Sequence, residues 1–281
     1  MMFTTFITAD QLAENLGRPD WVLVDCRMDL SKPEWGRTDY QRAHIPGSVY
    51  ADLNTDLSGP ITAQTGRHPL PESADFCKTL GQLGIAGGKQ VVVIDTAAGA
   101  FAARLWWMLR LYGHLAVAVL AGGFPLWERE GRPARSGTET NPATTFAGTM
   151  QEGWFLSAEE VDQVRQDPGW LVVDARTPER FRGEQEPIDP VAGRIPGAAN
   201  RAHTQNLQSG GIPLSPESLR DQFSALLGTT PPEQTVFYCG SGVTSCFHLL
   251  AMTHAGLPGA KLYPGSWSEW IRDPRRPIAK G

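Results

Sequence analysis

One short stretch of this sequence carries the residue types of nucleophilic chemistry. Cys239-Gly240-Ser241-Gly242-Val243-Thr244 follows the apolar run TVFY (235–238) and precedes a helical pattern. In open α/β sheets, ligands bind outside the carboxyl ends of the strands. Gly240 and Gly242 let the backbone curl through positive φ, so successive N–H groups converge and form a nest for an anion. The helix N-terminus that follows adds partial positive charge. Both effects favour thiolate over thiol, which makes Cys239 a nucleophile rather than a buried structural cysteine. Gly240, Gly242, Val243 and Thr244 would surround its substrate, and no residue of this loop is charged.

The elements that must position this loop occur twice. WVLVDCR (21–27) returns as WLVVDAR (170–176), and HIPGSV (44–49) as RIPGAA (194–199). VVVIDTAAGAFAARLWWMLRLYG (91–113) faces TVFYCGSGVTSCFHLLAMTHAG (235–256), and LAGGFPLW (120–127) faces LYPGSWSEW (262–270). Four blocks in one order at a nearly constant offset mean two copies of one fold. The short β-branched runs VLVD, VVVI, VAVL, LVVD and TVFY suit strands of a parallel sheet buried on both faces. Thr8 to Gln11 and Ser157 to Glu160 are capping boxes that open a helix in each copy. Ser215-Pro216 places proline at a first helical position, and Gly113 and Gly256 stop the helices that follow the third strand pattern. The expected fold class is α/β, each copy a mostly parallel sheet with helices on both faces. The aperiodic segment 132–151, rich in Pro, Gly, Ser and Thr, reads as a linker between domains 1–131 and 152–281. In the first copy the third strand ends at Asp95 and TAAGAF follows, so that copy has no thiol and reads as catalytically silent.

Composition narrows the function. The chain has 281 residues, 41% hydrophobic and 20% charged, which suits two globular domains. With 25 basic and 30 acidic residues the net charge is −5, and no dense basic run is present, so a nucleic-acid partner is not expected. No apolar stretch reaches the about 20 residues of a membrane span, and the start has no signal or transit pattern. The four cysteines lack CxxC spacing, which argues against a zinc site or a disulfide scaffold. A cytoplasmic, monomeric protein without metal or organic cofactor is expected.

The repeat, both IPG turns, CGSGVT and SWSEW together resemble the tandem-domain rhodanese-type sulfurtransferases, and within them the 3-mercaptopyruvate branch. The resemblance spans residues 4–278. It implies two tandem rhodanese-like domains and a reaction in which Cys239 takes sulfur from a small donor as a persulfide. A thiol such as thioredoxin or glutathione, or cyanide, would then accept it. The uncharged loop favours a mono-anionic keto acid over thiosulfate, whose branch usually carries Arg and Lys there. The resemblance further implies that Ser241 works with His68 of GRHPLP and an acid from the first domain. Asn54 stands at the place of that acid, with Asp52 and Asp56 nearby. It assigns Arg180 to the donor carboxylate. A second family arginine is replaced at Ile188, and Arg194, Arg201 or Arg182 are the candidates to compensate. Pro264 stands where the family often has aspartate. Thiosulfate as donor, or a persulfide relay with little small-molecule turnover, are the alternative readings. A phosphatase on a related fold is disfavoured because Ser245 and Cys246, not arginine, follow Thr244.

Other residues read as structural. Asp25/Arg27 and Asp174/Arg176 occur in both copies, so they should be ion pairs of the fold. Trp106, Trp107 and Trp127 belong to the core, as do Cys26, Cys77 and Cys246. Trp267 and Trp270 fit core or site mouth equally. His44, His114, His203, His248 and His254 show no ligand spacing. Glu184, Glu186 and Asp189 read as a solvated loop.

Overall fold

The computed structural model describes residues 2–281. The chain divides into two compact units. One holds residues up to Gly59, Pro71–Gln151 and Leu207–Pro213; the other holds Pro60–Leu70, Glu152–Asn206 and Leu214–Gly281.

In the first unit the elements run β1 (Phe6–Ile7), α1 (Ala9–Ala13), β2 (Trp21–Asp25), α2 (Trp35–Arg42), β3 (Ser48–Tyr50), α3 (Ser73–Gln82), β4 (Gln90–Ile94), α4 (Ala102–Leu111), β5 (Val117–Leu120) and α5 (Gly123–Arg129). Five parallel strands form one sheet in the order β1-β5-β4-β2-β3. Every residue of β4 and β5 is buried, as the continuous β-branched runs require. The Thr8 capping box is formed, and Gly113, at φ 82°, lies just beyond the end of α4.

The second unit contains α6 (Ala158–Val164), β6 (Leu171–Asp174), α7 (Pro178–Arg182), β7 (Ala199–Asn200), a 3-10 turn at His203–Asn206, α8 (Pro216–Leu227), β8 (Thr235–Tyr238), α9 (Cys246–His254), β9 (Lys261–Leu262) and α10 (Ser266–Trp270). Its parallel sheet has the order β7-β6-β8-β9. A single parallel bridge, Phe155 to Leu262, stands where β1 pairs with β5 in the first unit. Both sheets therefore have the same topology, and the sequence repeat is a repeat of fold.

The duplicated ion pairs are buried in both units. Arg27 and Arg176 each donate Nη2 at 2.7 Å to the aspartate two positions earlier, and Nε at 3.0 Å to the same carboxylate. Each guanidinium has a second acid within reach, Asp39 at 2.5 Å and Glu186 at 3.1 Å. Such a pair fixes the turn after β2 in the first unit and after β6 in the second, rather than adding net stability. Trp106, Trp107 and Trp127 lie in the core. The segment 132–151 has neither helix nor strand, but it is fastened along the first unit. His44 and Arg135 exchange backbone bonds at 2.9 Å, Thr144 N donates to Gly81 O at 2.9 Å, and Gln151 N donates to Leu111 O at 3.0 Å. Its composition excluded periodicity and carried no information about these partners.

The loop after β4 takes the form expected of an anion nest, and its anion is its own. Asp95 Oδ1 accepts from the backbone N–H of Ala97 at 3.0 Å and Gly99 at 2.8 Å. Oδ2 accepts from Phe101 and Ala102, both at 2.9 Å. The buried carboxylate thus satisfies four N–H groups at the mouth of the almost wholly buried α4. Asp95→Ala should destabilise the first unit by about 3 kcal/mol, because buried N–H groups lose a charged acceptor. Asp95→Asn, which keeps one acceptor oxygen, should cost less. Urea unfolding of both variants against the parent measures the difference.

Candidate active site

Cys239 is the first residue beyond β8, as Asp95 is the first beyond β4. The main chain around it is clamped by the first turn of α10. Cys239 N donates to Ser266 Oγ at 3.1 Å, while Trp267 N donates to Cys239 O at 3.1 Å and Ser268 N to Gly240 O at 2.9 Å. Ser266 holds φ 55°, a left-handed conformation that a non-glycine residue adopts only when its surroundings enforce it. Gly242 turns the loop at φ 73°, and a Cβ there would collide with the Pro264 carbonyl. Pro264 therefore matters through its main chain, which packs against the loop. Trp267 and Trp270 are fully buried, their indole N–H groups donating to Val191 O at 2.8 Å and Pro277 O at 2.9 Å. This resolves their two readings in favour of the core.

His68 reaches the loop from the strap 60–70, which belongs to the second unit. Its Nδ1 and Ser241 Oγ share a hydrogen bond of 2.7 Å, and both residues are buried. The strap is docked on α10: Arg67 N donates to Ser268 Oγ at 3.0 Å. Asp52 and Asp56 lie in the first unit, in the turn 52–57. There Asp56 Oδ2 accepts from Asp52 N at 2.7 Å and Asp52 Oδ1 from Asn54 N at 2.8 Å.

Arg180 also arrives, from α7. A Cβ built on Gly240 would stand 3.5 Å from Arg180 Nη2 and 2.8 Å from Nη2 of Arg67. The other candidate cations are engaged elsewhere. Arg194 donates to Gly281 O at 2.6 Å and stacks on Phe181, its backbone bridging to Ala279. Arg201 Nη2 donates to Asn206 and Gln222 at 3.0 Å, its guanidinium lies over Phe223, and burial pushes it down to about 10. Arg182 pairs with Glu184 at the surface. These three were the candidates to compensate for the family arginine replaced at Ile188, and each has other partners. Ile188 is 43% exposed.

The expectation of a solvated acidic loop is corrected for two of its three members. Glu186 and Asp189 side chains are only 3% and 2% exposed. Glu186 takes Arg180 Nη2 at 2.7 Å and Arg176 Nη1 at 3.1 Å. Asp189 is shared by Arg180, at 3.3 Å, and Arg67. Arg67 is the residue that sequence reasoning passed over. Its one signal was adjacency to His68.

The profile of the rhodanese-like domain matches residues 8–130 and 157–273. The chain belongs to the rhodanese-like family. It is 46% identical over 283 residues, covering all of both chains, to a protein of Pseudomonas aeruginosa named a probable 3-mercaptopyruvate sulfurtransferase. It is 31% identical to the thiosulfate sulfurtransferase of Rattus norvegicus, over 97% of this chain and 93% of that one. Its fold superposes on the 3-mercaptopyruvate sulfurtransferase from Leishmania major with a TM-score of 0.86 at 31% identity, over 98% of this chain and 76% of that one. A rhodanese-like chain with such relatives along its whole length is an enzyme of the sulfurtransferase type.

The electrostatics of the rhodanese-like loop act on Cys239 directly. Burial alone would push its thiol up. The Ser245 and Thr244 hydroxyls and the N–H groups of Ser241 and Ser245 outweigh that by hydrogen bonding the sulfur, and the thiol is brought down to about 7. Ser245 Oγ is 3.5 Å from the sulfur. Cys26, buried among carboxylates without such donors, is pushed well above the ordinary thiol range. Alkylation of Cys239 by iodoacetamide should therefore rise with pH through an inflection near 7, because the thiolate form is the reactive one. Ser245→Ala should move that inflection upward, since it removes the hydroxyl donor that favours the charged form. Alkylation rates measured across pH give both values.

Proposed function

We propose that the chain transfers sulfur from 3-mercaptopyruvate to a thiol or cyanide through a persulfide on Cys239. The observation that carries this is the place of the Cys239 sulfur, at the end of β8, 3.5 Å from Ser245 Oγ and facing the N–H groups of Ser241 and Ser245. The Cys239 thiolate attacks the donor sulfur, and a sulfur–sulfur bond forms as the carbon–sulfur bond breaks. The electron pair of the broken bond goes to the donor carbon, giving the enolate of pyruvate, which takes up a proton. Cys239 now carries S–SH, and the loop N–H groups hold the charge of its deprotonated form S–S⁻. An incoming thiolate then attacks the outer sulfur, carries it off as its own persulfide and returns Cys239 as thiolate. Cyanide leaves as thiocyanate in the same way.

Ser241, hydrogen bonded to His68, is suited to deliver the proton to the enolate or to hold its oxygen. Arg180 supplies a guanidinium for the donor carboxylate. We read the first half, residues 1–131, as catalytically silent, because the carboxylate of Asp95 has no sulfur to exchange. All four cysteines are free, which suits a reducing compartment such as the cytoplasm, where thioredoxin and glutathione are the abundant thiols. Thiosulfate remains the second donor to test, on the strength of the relative named for it.

Steady-state assays with each donor and cyanide, paired with intact-mass measurement, test this reading. The parent should gain one sulfur atom with 3-mercaptopyruvate, and Cys239→Ser should gain none and turn over neither donor. Turnover surviving in Cys239→Ser would sink the assignment. Ser241→Ala and His68→Ala should lower kcat by about a hundredfold, the usual worth of a positioned proton donor. Arg180→Ala should raise KM for the keto acid more than it lowers kcat.

A further inference from the structure

Two guanidinium groups overhang the residue next to the nucleophile, and they reach it from elements far apart in the sequence. Arg67 comes from the strap 60–70 and Arg180 from α7. Their Nη2 atoms lie 2.8 Å and 3.5 Å from the point where a Cβ of residue 240 would stand. Glycine at 240 therefore leaves the guanidinium edges open toward the loop. Two like charges this close repel unless an anion sits between them. Asp189 is that anion, its two oxygens divided between Arg67 Nη1 and Arg180 Nη2. It is nearly inaccessible, at 2%, whereas the Arg67 side chain is 24% exposed. Arg67 Nη2 donates to no acceptor among the described residues.

The charges of the cluster balance. Arg67, Arg176 and Arg180 face Asp174, Glu186 and Asp189, so this cluster beside the Cys239 thiolate has no net charge before a donor enters. A bidentate acceptor such as a carboxylate fits the donors that remain. A second negative charge on the same ligand would meet no further compensation.

We propose that Arg67 and Arg180 form one fork for the donor carboxylate, with Asp189 as a positioning residue that spaces the guanidinium groups and sets a charge that admits a monoanion over a dianion. The proposal rests on the reading of Cys239 as the sulfur-accepting nucleophile. Arg67 thereby binds substrate in a chain whose loop and flanking arginines do not supply the second cation.

The test uses the full chain with 3-mercaptopyruvate and thiosulfate as donors and cyanide as acceptor. Arg67→Ala should raise KM for 3-mercaptopyruvate about tenfold with a smaller change in kcat, the pattern of lost ground-state binding. Arg67→Lys should recover only part of that, because an ammonium lacks the planar fork. Asp189→Asn removes one negative charge. It should lower KM for thiosulfate and shift the ratio of kcat/KM between the donors toward thiosulfate, which loss of structure alone would not do. An unchanged KM in Arg67→Ala, or an unchanged donor ratio in Asp189→Asn, overturns the fork while leaving the Cys239 reading intact. A parent enzyme that gains no sulfur on Cys239 from either donor overturns that reading, and the fork with it.

Discussion

A negative charge at the end of a central strand, met by converging N–H groups, organises both halves of this chain. The strand delivers the main chain to the sheet edge, the loop bends back, and its amides point inward with nowhere else to bond. An anion must satisfy them. The first unit meets this demand with a fixed carboxylate, Asp95, which takes four N–H donors. The second meets it with a sulfur that titrates near neutrality. An aspartate against a cysteine at the strand end, with different residues in the loop behind each, separates a loop that is closed upon itself from a loop that can do chemistry.

The reactive loop then has to be held from outside, since its anion is not permanent. The first turn of α10 does this through Ser266, Trp267 and Ser268, which bond the main chain of Cys239 and Gly240. The left-handed Ser266 and the tight approach of Gly242 to Pro264 are the costs of that clamp. Ser268 serves twice, because its hydroxyl also accepts from Arg67 N and so fastens the strap that carries His68. The nucleophile, its hydrogen-bonding neighbour and the overhanging cations thus share one mechanical support. The buried Asp174–Arg176 pair extends it, because Arg176 also holds Glu186, which holds Arg180.

What was legible in the sequence was local or repeated. The strand runs, the two capping boxes and the Cys239 loop each depend on residues within a turn or two of one another. The duplication declared two copies of one fold. What was not legible depends on chain crossings. The Arg67–Asp189 pair joins residues 122 apart, and nothing in either local pattern names the other. Glu186 and Asp189 read as solvated because acidic loops usually are; their burial follows from three arginines arriving from the strap, from α7 and from the turn after β6. Arg194 and Arg201 show the converse, since their sequence neighbours did not announce the partners that take up their guanidinium groups, Gly281 and Phe181 for the one and Asn206, Gln222 and Phe223 for the other. The sheet edge also hid a difference: Phe155 keeps the position of β1 but forms only a bridge.

The hydrogen bonds around Cys239 have a second consequence. A persulfide is handed on only when the inner sulfur departs with its electron pair, and a sulfur that departs well is one whose thiolate is stable. The donors that lower the thiol to about 7 therefore assist Cys239 as a leaving group as much as they ready it for attack. A deeper pKa would blunt its attack on the donor, and a higher one would slow its departure. By this balance neither half of the cycle is made easy at the expense of the other, and the sulfur atom is held no more tightly than onward transfer permits.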